Sequence, residues 1–230
     1  MLLDLLYPRS CCSCGVDLNP MRESGLCWEC RCQSIAIQAP YCEQCGMPIA
    51  GRVDHAFVCS RCIEHPPKYT KARSLYRYEG GVRDAIHALK YHRDFSVIPD
   101  LGTMLLAGIE VYAPQMEVLA AVPLHPARQR FRGFNQGEEL LRWLRRHRKS
   151  LQVWKGLKRV KNTESQVHFH AEGRRKNVRG AFRVKKGVPV PQSVLLVDDV
   201  MTTGSTLDAC ASALCRAGVK EVQCLTLARG

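Results

Sequence analysis

The pattern of apolar and polar positions changes character near residue 70. Before it, no apolar period lasts and large apolar side chains are few; after it, strand-like and helix-like stretches alternate. Residues 72–78 (ARSLYRY) alternate as a half-buried strand does, and Gly80–Gly81 reads as its end. Val82, Ile86, Leu89 and Lys90 then fall on helical spacing up to Tyr91, and residues 98–111 predict a second helix. VLAAV (118–122) predicts a short buried strand stopped by Pro123. A basic loop, PLHPARQRFRG, follows, and then a helix over 135–147 with Leu140, Leu141 and Leu144 on its apolar side. Residues 153–157 give a weaker strand signal, and 159–177 lack any sustained apolar period and predict a long, mobile polar loop. Strands follow at 181–184, 193–197 and 221–228. The helix over 206–217 carries Leu207, Cys210, Ala211 and Leu214 on one face and stops at Gly218. The alternation predicts an α/β fold with a mainly parallel sheet over 69–230, preceded by a small module over 1–68.

That first module is defined by cysteine. Ten of the 13 cysteines precede residue 63, and eight of them form four C-x-x-C pairs: Cys11/Cys14, Cys27/Cys30, Cys42/Cys45 and Cys59/Cys62. The intervals within consecutive couples are 12 and 13 residues, the spacing of zinc ribbons, in which two knuckles each give two thiolates to a tetrahedral ion. A disulfide framework fits poorly without an exporting segment, and four such motifs exceed what one redox site needs. The expectation is two Zn²⁺ per chain, with sequential pairing and a cross-braced arrangement both open. Cys12 and Cys32 flank knuckles and could substitute as ligands; Cys210, Cys215 and Cys224 sit in apolar surroundings and read as core. With so few large apolar side chains, the module should depend on metal for its shape.

Charge sharpens the division. Residues 1–70 carry net −1 and residues 71–230 net +14, of which 128–186 alone hold 19 basic and 4 acidic residues. A concentration of that kind attracts phosphate-rich partners. Overall composition, 46% hydrophobic and 24% charged, is that of a globular protein. MLLDLLYP is too short and wrongly charged for a signal peptide, and Glu110 and Pro114 interrupt the apolar stretch near residue 105 before it suffices for a membrane span. A cytoplasmic protein without a membrane span is expected.

The strand over 193–197 runs into VLLVDDVMTTGST (194–206), where Asp198 and Asp199 are adjacent. Two neighbouring carboxylates repel unless a cation or several donors meet them. Ligands gather at the carboxyl ends of parallel strands. There, a Gly-containing turn with hydroxyls at a helix N-terminus makes a monophosphate cradle. Together with two acids that accept bonds from vicinal hydroxyls, the segment suits a ribose 5-phosphate.

VLLVDDVMTTGST resembles the phosphoribosyl pyrophosphate (PRPP) signature of type I phosphoribosyltransferases. With the four cysteine pairs, VPLHPARQRFRGFNQ and KNTESQVHFHAEGRRKNVRGAF, the whole chain resembles the ComF family, competence proteins and GntX-type proteins linked to use of external DNA. The resemblance implies PRPP binding by Asp198, Asp199, Met201, Thr202, Thr203, Gly204, Ser205 and Thr206, with Mg²⁺ accompanying PRPP. It implies a pyrophosphate loop containing Arg128, Arg130, Arg132 and Gly133, and a flexible loop with Lys161, Arg174, Arg175 and Lys176 as candidates. In such enzymes pyrophosphate leaves the ribose C1 through a cation-like transition state, so positioning and charge stabilisation supply the rate. No segment for base recognition is evident near the C-terminus, and a hood would come from residues 70–115 or from the zinc module. Two functions follow. One is a DNA-uptake or DNA-utilisation factor that binds PRPP, works with DNA-uptake machinery proteins and contacts single-stranded DNA. The other is an active transferase of phosphoribose to a nucleobase. Phe131, Phe134, Trp143, Trp154 and Phe169 lie among the basic residues and would support base stacking, although Phe134 and Trp143 read better as core. His168 and His170 read as solvated rather than metal-binding.

Overall fold

The computed structural model describes residues 9–19, 24–162, 173 and 177–230. In chain order the strands are β1 (Lys71–Arg77), β2 (Val118–Ala121), β3 (Gln152–Val153), β4 (Leu157–Arg159), β5 (Phe182–Val184), β6 (Ser193–Met201) and β7 (Glu221–Arg229). The helices are α1 (Trp28–Cys32), α2 (Ser60–Glu64), α3 (Gly80–His87), α4 (Ile98–Tyr112), α5 (Pro126–Arg132), α6 (Gln136–His147) and α7 (Ser205–Arg216). Five strands form one parallel sheet in the order β1-β7-β6-β2-β3, and β4 and β5 pair antiparallel beside it. The α/β architecture expected from the alternating pattern is present.

β6 carries a continuous apolar run, Val194–Val197, and β7 is buried at every position from Val222 to Arg229, so both are strands covered on both faces. Leu195 and Val197 share a core with α3, α4 and α6, while Val194 and Leu196 pack with α7 and the β4–β5 pair. Phe95–Tyr112 is apolar and long enough to cross a membrane by length and composition alone. It is instead a core element, with Leu101, Leu105 and Ile109 fully enclosed. Gly102 lets the Trp143 ring of α6 press directly on α4.

The cysteine-rich segment caps the sheet edge. Ile37 N–H donates to the Leu75 carbonyl (2.8 Å) and Arg77 N–H to that of Ile35 (2.9 Å), so the chain between ribbons lies along β1. An edge strand left open would invite pairing with another chain. Asp100, only 3% exposed at the start of α4, accepts from Gly25 N–H (2.8 Å), Leu26 N–H (3.2 Å) and Ser24 Oγ (2.9 Å).

Several elements differ from the pattern's reading. Gly80–Gly81 does not merely end β1 but opens α3, because a Cβ at Gly81 would collide with the Cys30 carbonyl of α1. The helix continues into a π-helical turn, Ala88–His92, closed by Arg93 in the left-handed region at φ 54°. The basic segment after β2 is a helix, α5, not a loop. Pro126 sits in its first turn, His125 Nδ1 accepts from Ala127 N–H, and Gly133 takes the left-handed C-terminal position. The signal at 153–157 splits between β3 and β4, and β6 extends through both aspartates to Met201. Cys210 and Cys224 are core, but Cys215 is exposed.

Candidate functional site

Two sets of four thiols assemble in sequential order: Cys11, Cys14, Cys27 and Cys30, then Cys42, Cys45, Cys59 and Cys62, each with all sulfurs within 4.8 Å of one another. The Sγ separations Cys14–Cys27 (3.6 Å) and Cys45–Cys59 (3.8 Å) fit a tetrahedron with Zn–S bonds of about 2.3 Å, whose edge is about 3.8 Å. Backbone amides already point at sulfur, with Cys27 N–H on Cys11 (3.3 Å) and Cys59 N–H on Cys42 (3.4 Å). Burial opposes ionisation of Cys11 and Cys42, but these N–H donors bring each down to about 7, favouring thiolate. Two zinc-ribbon sites, fitting two Zn²⁺ per chain, result. Cys12 and Cys32 lie outside both sets.

The carboxylate pair is met from within the chain. Lys90, from the π-helical turn, forms an ion pair with Asp199 Oδ2, with side-chain exposures of 16% and 7%. Burial alone would lower the Lys90 pKa, but the charge of Asp199 raises it. Burial alone would raise Asp199, but the Lys90 ammonium holds it below the usual carboxylate range. Asp198 goes the other way: burial and the adjacent Asp199 charge raise it well above that range. The two carboxyl groups are thus driven apart in pKa, the usual outcome when two acids share one cation.

Beyond the aspartates the chain turns through Thr202, Thr203 and Gly204 into α7. Gly204 adopts φ 75°, and a Cβ there would stand 2.6 Å from Met201 Cε and 3.2 Å from the Tyr69 hydroxyl. Thr203 and Ser205 hydroxyls bond each other at 2.9 Å, and Ser205 N–H donates to Thr203 Oγ1. The amides opening α7 have no intrahelical acceptors and the helix dipole adds positive potential, so the turn offers an anion cradle. Asp198, Thr202, Thr203, Ser205 and Thr206 line one small cavity with Gly204 and Met201. The Met201 side chain is buried, its sulfur 3.4 Å from Arg229 Nη1, and it supports the turn from below.

The basic candidates divide. Arg132 is half-buried and bonds Gln136 Oε1 at 2.6 Å; burial lowers its pKa while the charge of Asp199 opposes that shift. Arg128 and Arg130 are exposed on α5, and Gly133 lies 3.5 Å, by its missing Cβ, from the Arg93 guanidinium. Lys161 is exposed and donates to the Arg179 carbonyl at 3.0 Å. Arg174, Arg175, Lys176, His168, Phe169 and His170 lie outside the described residues. Phe134 is buried and Trp143 partly so, stacked on His147 at 3.7 Å, whereas Phe131 is 90% exposed. Lys90 is the site residue that no motif marks, and Arg159 is a cation close enough to feel Asp198. Burial and the nearby Arg128 charge lower the Arg159 pKa, against the field of Asp198. The signal for Lys90 was a lysine within a helical apolar stripe that faces a strand ending in two acids.

Comparison with known proteins agrees with this arrangement. The double zinc ribbon domain family matches residues 2–63, and the phosphoribosyl transferase domain family matches residues 159–230. Competence protein F of Haemophilus influenzae is 32% identical across 95% of this chain and 96% of its own length. DNA utilization protein YhgH of Salmonella typhi is 31% identical across 89% of this chain and 97% of its own. Competence protein ComFC of Streptococcus pneumoniae is 28% identical over 68% and 67% of the two chains. With ribbons, parallel sheet and signature segment all in place, the chain belongs to the ComF family of competence and DNA utilization proteins, a double zinc ribbon joined to a phosphoribosyltransferase domain.

Proposed function

We propose that this protein binds PRPP at the Asp198–Thr206 segment and acts in the uptake or use of external DNA, with 1–68 and 69–230 as its two units. The observation that carries this reading is the Lys90–Asp199–Asp198 cluster, set beside a Thr/Gly/Ser turn at the head of α7. The turn would hold the 5′-phosphate, and Asp198 and Asp199 would accept hydrogen bonds from the ribose hydroxyls. Arg132, near enough to feel Asp199, with Arg128 and Arg130 on the same helix, would face pyrophosphate. Arg174, Arg175, Lys176 and Lys161 would close over it. Mg²⁺ would be held through water by the aspartates and, when bound, would neutralise pyrophosphate charge. The work would be done in the cytoplasm, alongside DNA-uptake proteins, and the basic residues with exposed Phe131 would contact single-stranded DNA.

A second reading, transfer of phosphoribose to a nucleobase, is favoured by Tyr91. It is 63% exposed, adjoins Lys90, and faces the Arg132 guanidinium at 5.8 Å, so it would offer a planar acceptor a stacking surface. The double variant Asp198→Asn/Asp199→Asn separates these roles. It should lose PRPP binding by calorimetry and, in cells, lose growth on DNA. Full DNA use by a variant that no longer binds PRPP would detach the site from the biological role. Release of pyrophosphate with a nucleobase present would favour the transferase.

A further inference from the structure

On the ribbon side of the Thr202–Thr206 turn, a cavity of about 270 Å³ separates the turn from the second zinc ribbon. Arg61, His65 and Tyr69 line it from one side, and Thr203, Ser205 and Asp208 from the other. Two groups here are left without partners among the described residues. Tyr69 is only 3% exposed, yet its hydroxyl makes no hydrogen bond. That oxygen is aimed at the turn, 3.2 Å from where a Cβ on Gly204 would stand. The Arg61 guanidinium has no acceptor and reaches within 3.8 Å of the same point.

Neither group is spent on the protein: the Tyr69 hydroxyl opens onto the cavity and the Arg61 side chain is half-buried at its edge, so both can turn to a ligand. The acids nearby do not supply a partner. Asp208 Oδ1 is engaged by the Lys68 backbone N–H at 2.6 Å, and Glu64 is exposed. Arginine's fixed fork of donors matches phosphate oxygens, and the start of α7 adds amide donors and positive potential from the other wall. Gly204 interposes no side chain between them. Arg61 is also held in place by its position between the ligands Cys59 and Cys62, so a zinc knuckle presents it.

We infer that this cavity is the second wall of the phosphate site: a phosphate monoester at the head of α7 is bound jointly by the turn and by Arg61 and Tyr69 of the ribbon side. The identity of that monoester as a ribose 5-phosphate rests on the PRPP reading above; the anion site itself does not.

The test uses the full-length, zinc-loaded chain titrated calorimetrically with inorganic phosphate and with ribose 5-phosphate. Arg61→Gln should weaken both probes about tenfold, the worth of a lost charge-assisted hydrogen bond. Arg61→Lys should recover part of that loss, and Tyr69→Phe should weaken both about threefold, with zinc content unchanged in each. Asp199→Asn should weaken only ribose 5-phosphate. Wild-type affinity for both probes in Arg61→Gln and Tyr69→Phe would overturn the inference while leaving the PRPP reading intact. Arg61-dependent phosphate binding with no gain from the ribose would keep the second wall and remove the sugar site. Wild type that binds neither probe would remove both.

Discussion

The two zinc ribbons share a cysteine spacing but not a setting. The first is built into the hydrophobic core: Cys11, Cys27, Cys30 and Leu26 pack with α3 and α4, and Asp100 gathers donors from residues 24–26. The second is built into the core on the opposite face, where its four cysteines pack with Tyr69, Ala72 and Met201 at the end of the sheet where β6 turns into α7. The Cys45 carbonyl accepts from Arg229 at 2.9 Å, Arg229 touches Met201 under the Thr202–Gly204 turn, and Arg61 and Tyr69 stand beside Gly204. A tetrathiolate knuckle makes a short segment rigid wherever it occurs. What that rigidity serves depends on the neighbours: packing on α3 and α4 in one ribbon, and in the other packing beneath α7 together with a wall of the candidate site.

The widest separation between the two should come from removing one ligand from each. Cys30→Ser and Cys62→Ser should each lose one zinc by metal analysis. Because apparent binding energies of structural zinc run to about 10–16 kcal/mol, both should be destabilised. Both should lower the melting temperature, but Cys62→Ser should also lose phosphate binding where its circular dichroism still shows a folded sheet, whereas Cys30→Ser should keep it. Equal loss of phosphate binding in both would erase the distinction.

Next in size is the cation that crosses from the first ribbon's core to the site. Lys90→Met leaves Asp199 buried and uncompensated, which should cost about 3–5 kcal/mol in denaturant titration. Adding Asp199→Asn to the same chain should restore most of it. No recovery in the double variant would mean that Lys90 acts through packing and not through charge.

Asp198 should show the opposite sign. Its raised pKa means that its contribution to stability is complete below the ordinary carboxylate value and is lost as pH rises through the higher folded value. Asp198→Asn should therefore stabilise the chain by about 1 kcal/mol near neutrality, or about 2–4 °C in melting temperature, with a gain that grows from about pH 4 upward. The same substitution should weaken PRPP binding, as is common where a site holds strained charge. Asp199, whose pKa is depressed, contributes stability above the unfolded value that is lost as pH falls.

The smallest effect concerns the basic segment. Replacing Arg174, Arg175 and Lys176 with Gln should weaken single-stranded DNA binding in fluorescence anisotropy. It should also flatten the salt slope by about 0.7 for each phosphate no longer neutralised. If the same residues close over PRPP, saturating PRPP and Mg²⁺ should weaken DNA binding, and DNA should weaken PRPP binding equally. An unchanged salt slope would move the DNA surface elsewhere, to Arg142, Arg145, Arg146 and Arg148 on or beside α6.

Much of this was legible in the residues. Cysteine spacing carries zinc ligation because two knuckles fix the tetrahedron locally, and the continuous apolar run Val194–Val197 announces β6 because both its faces are covered. The misread elements depend on distant partners. Gly80–Gly81 looked like a stop, but tertiary packing on Cys30 uses the missing side chain to start a helix. PLHPARQRFRG looked like a loop because it lacks an apolar face, and α5 has no buried residue. Its helix is encoded in its ends, His125–Pro126 and Gly133. Lys90 lies far along the chain from the aspartates it neutralises, so no local pattern joined them. Which ribbon would stand beside the Thr202–Gly204 turn was equally beyond local spacing.

We propose that PRPP is held between Lys90, the aspartates and the turn into α7. Amide hydrogen exchange of the full-length, zinc-loaded chain, with and without PRPP and Mg²⁺, tests it most directly, because protection reports local opening segment by segment. The expected result is added protection at Thr202–Leu207 and across the Ala88–His92 turn, absent in Asp198→Asn/Asp199→Asn and with little change in the first ribbon. PRPP binding that protects other segments and leaves Thr202–Leu207 as it was would contradict the account.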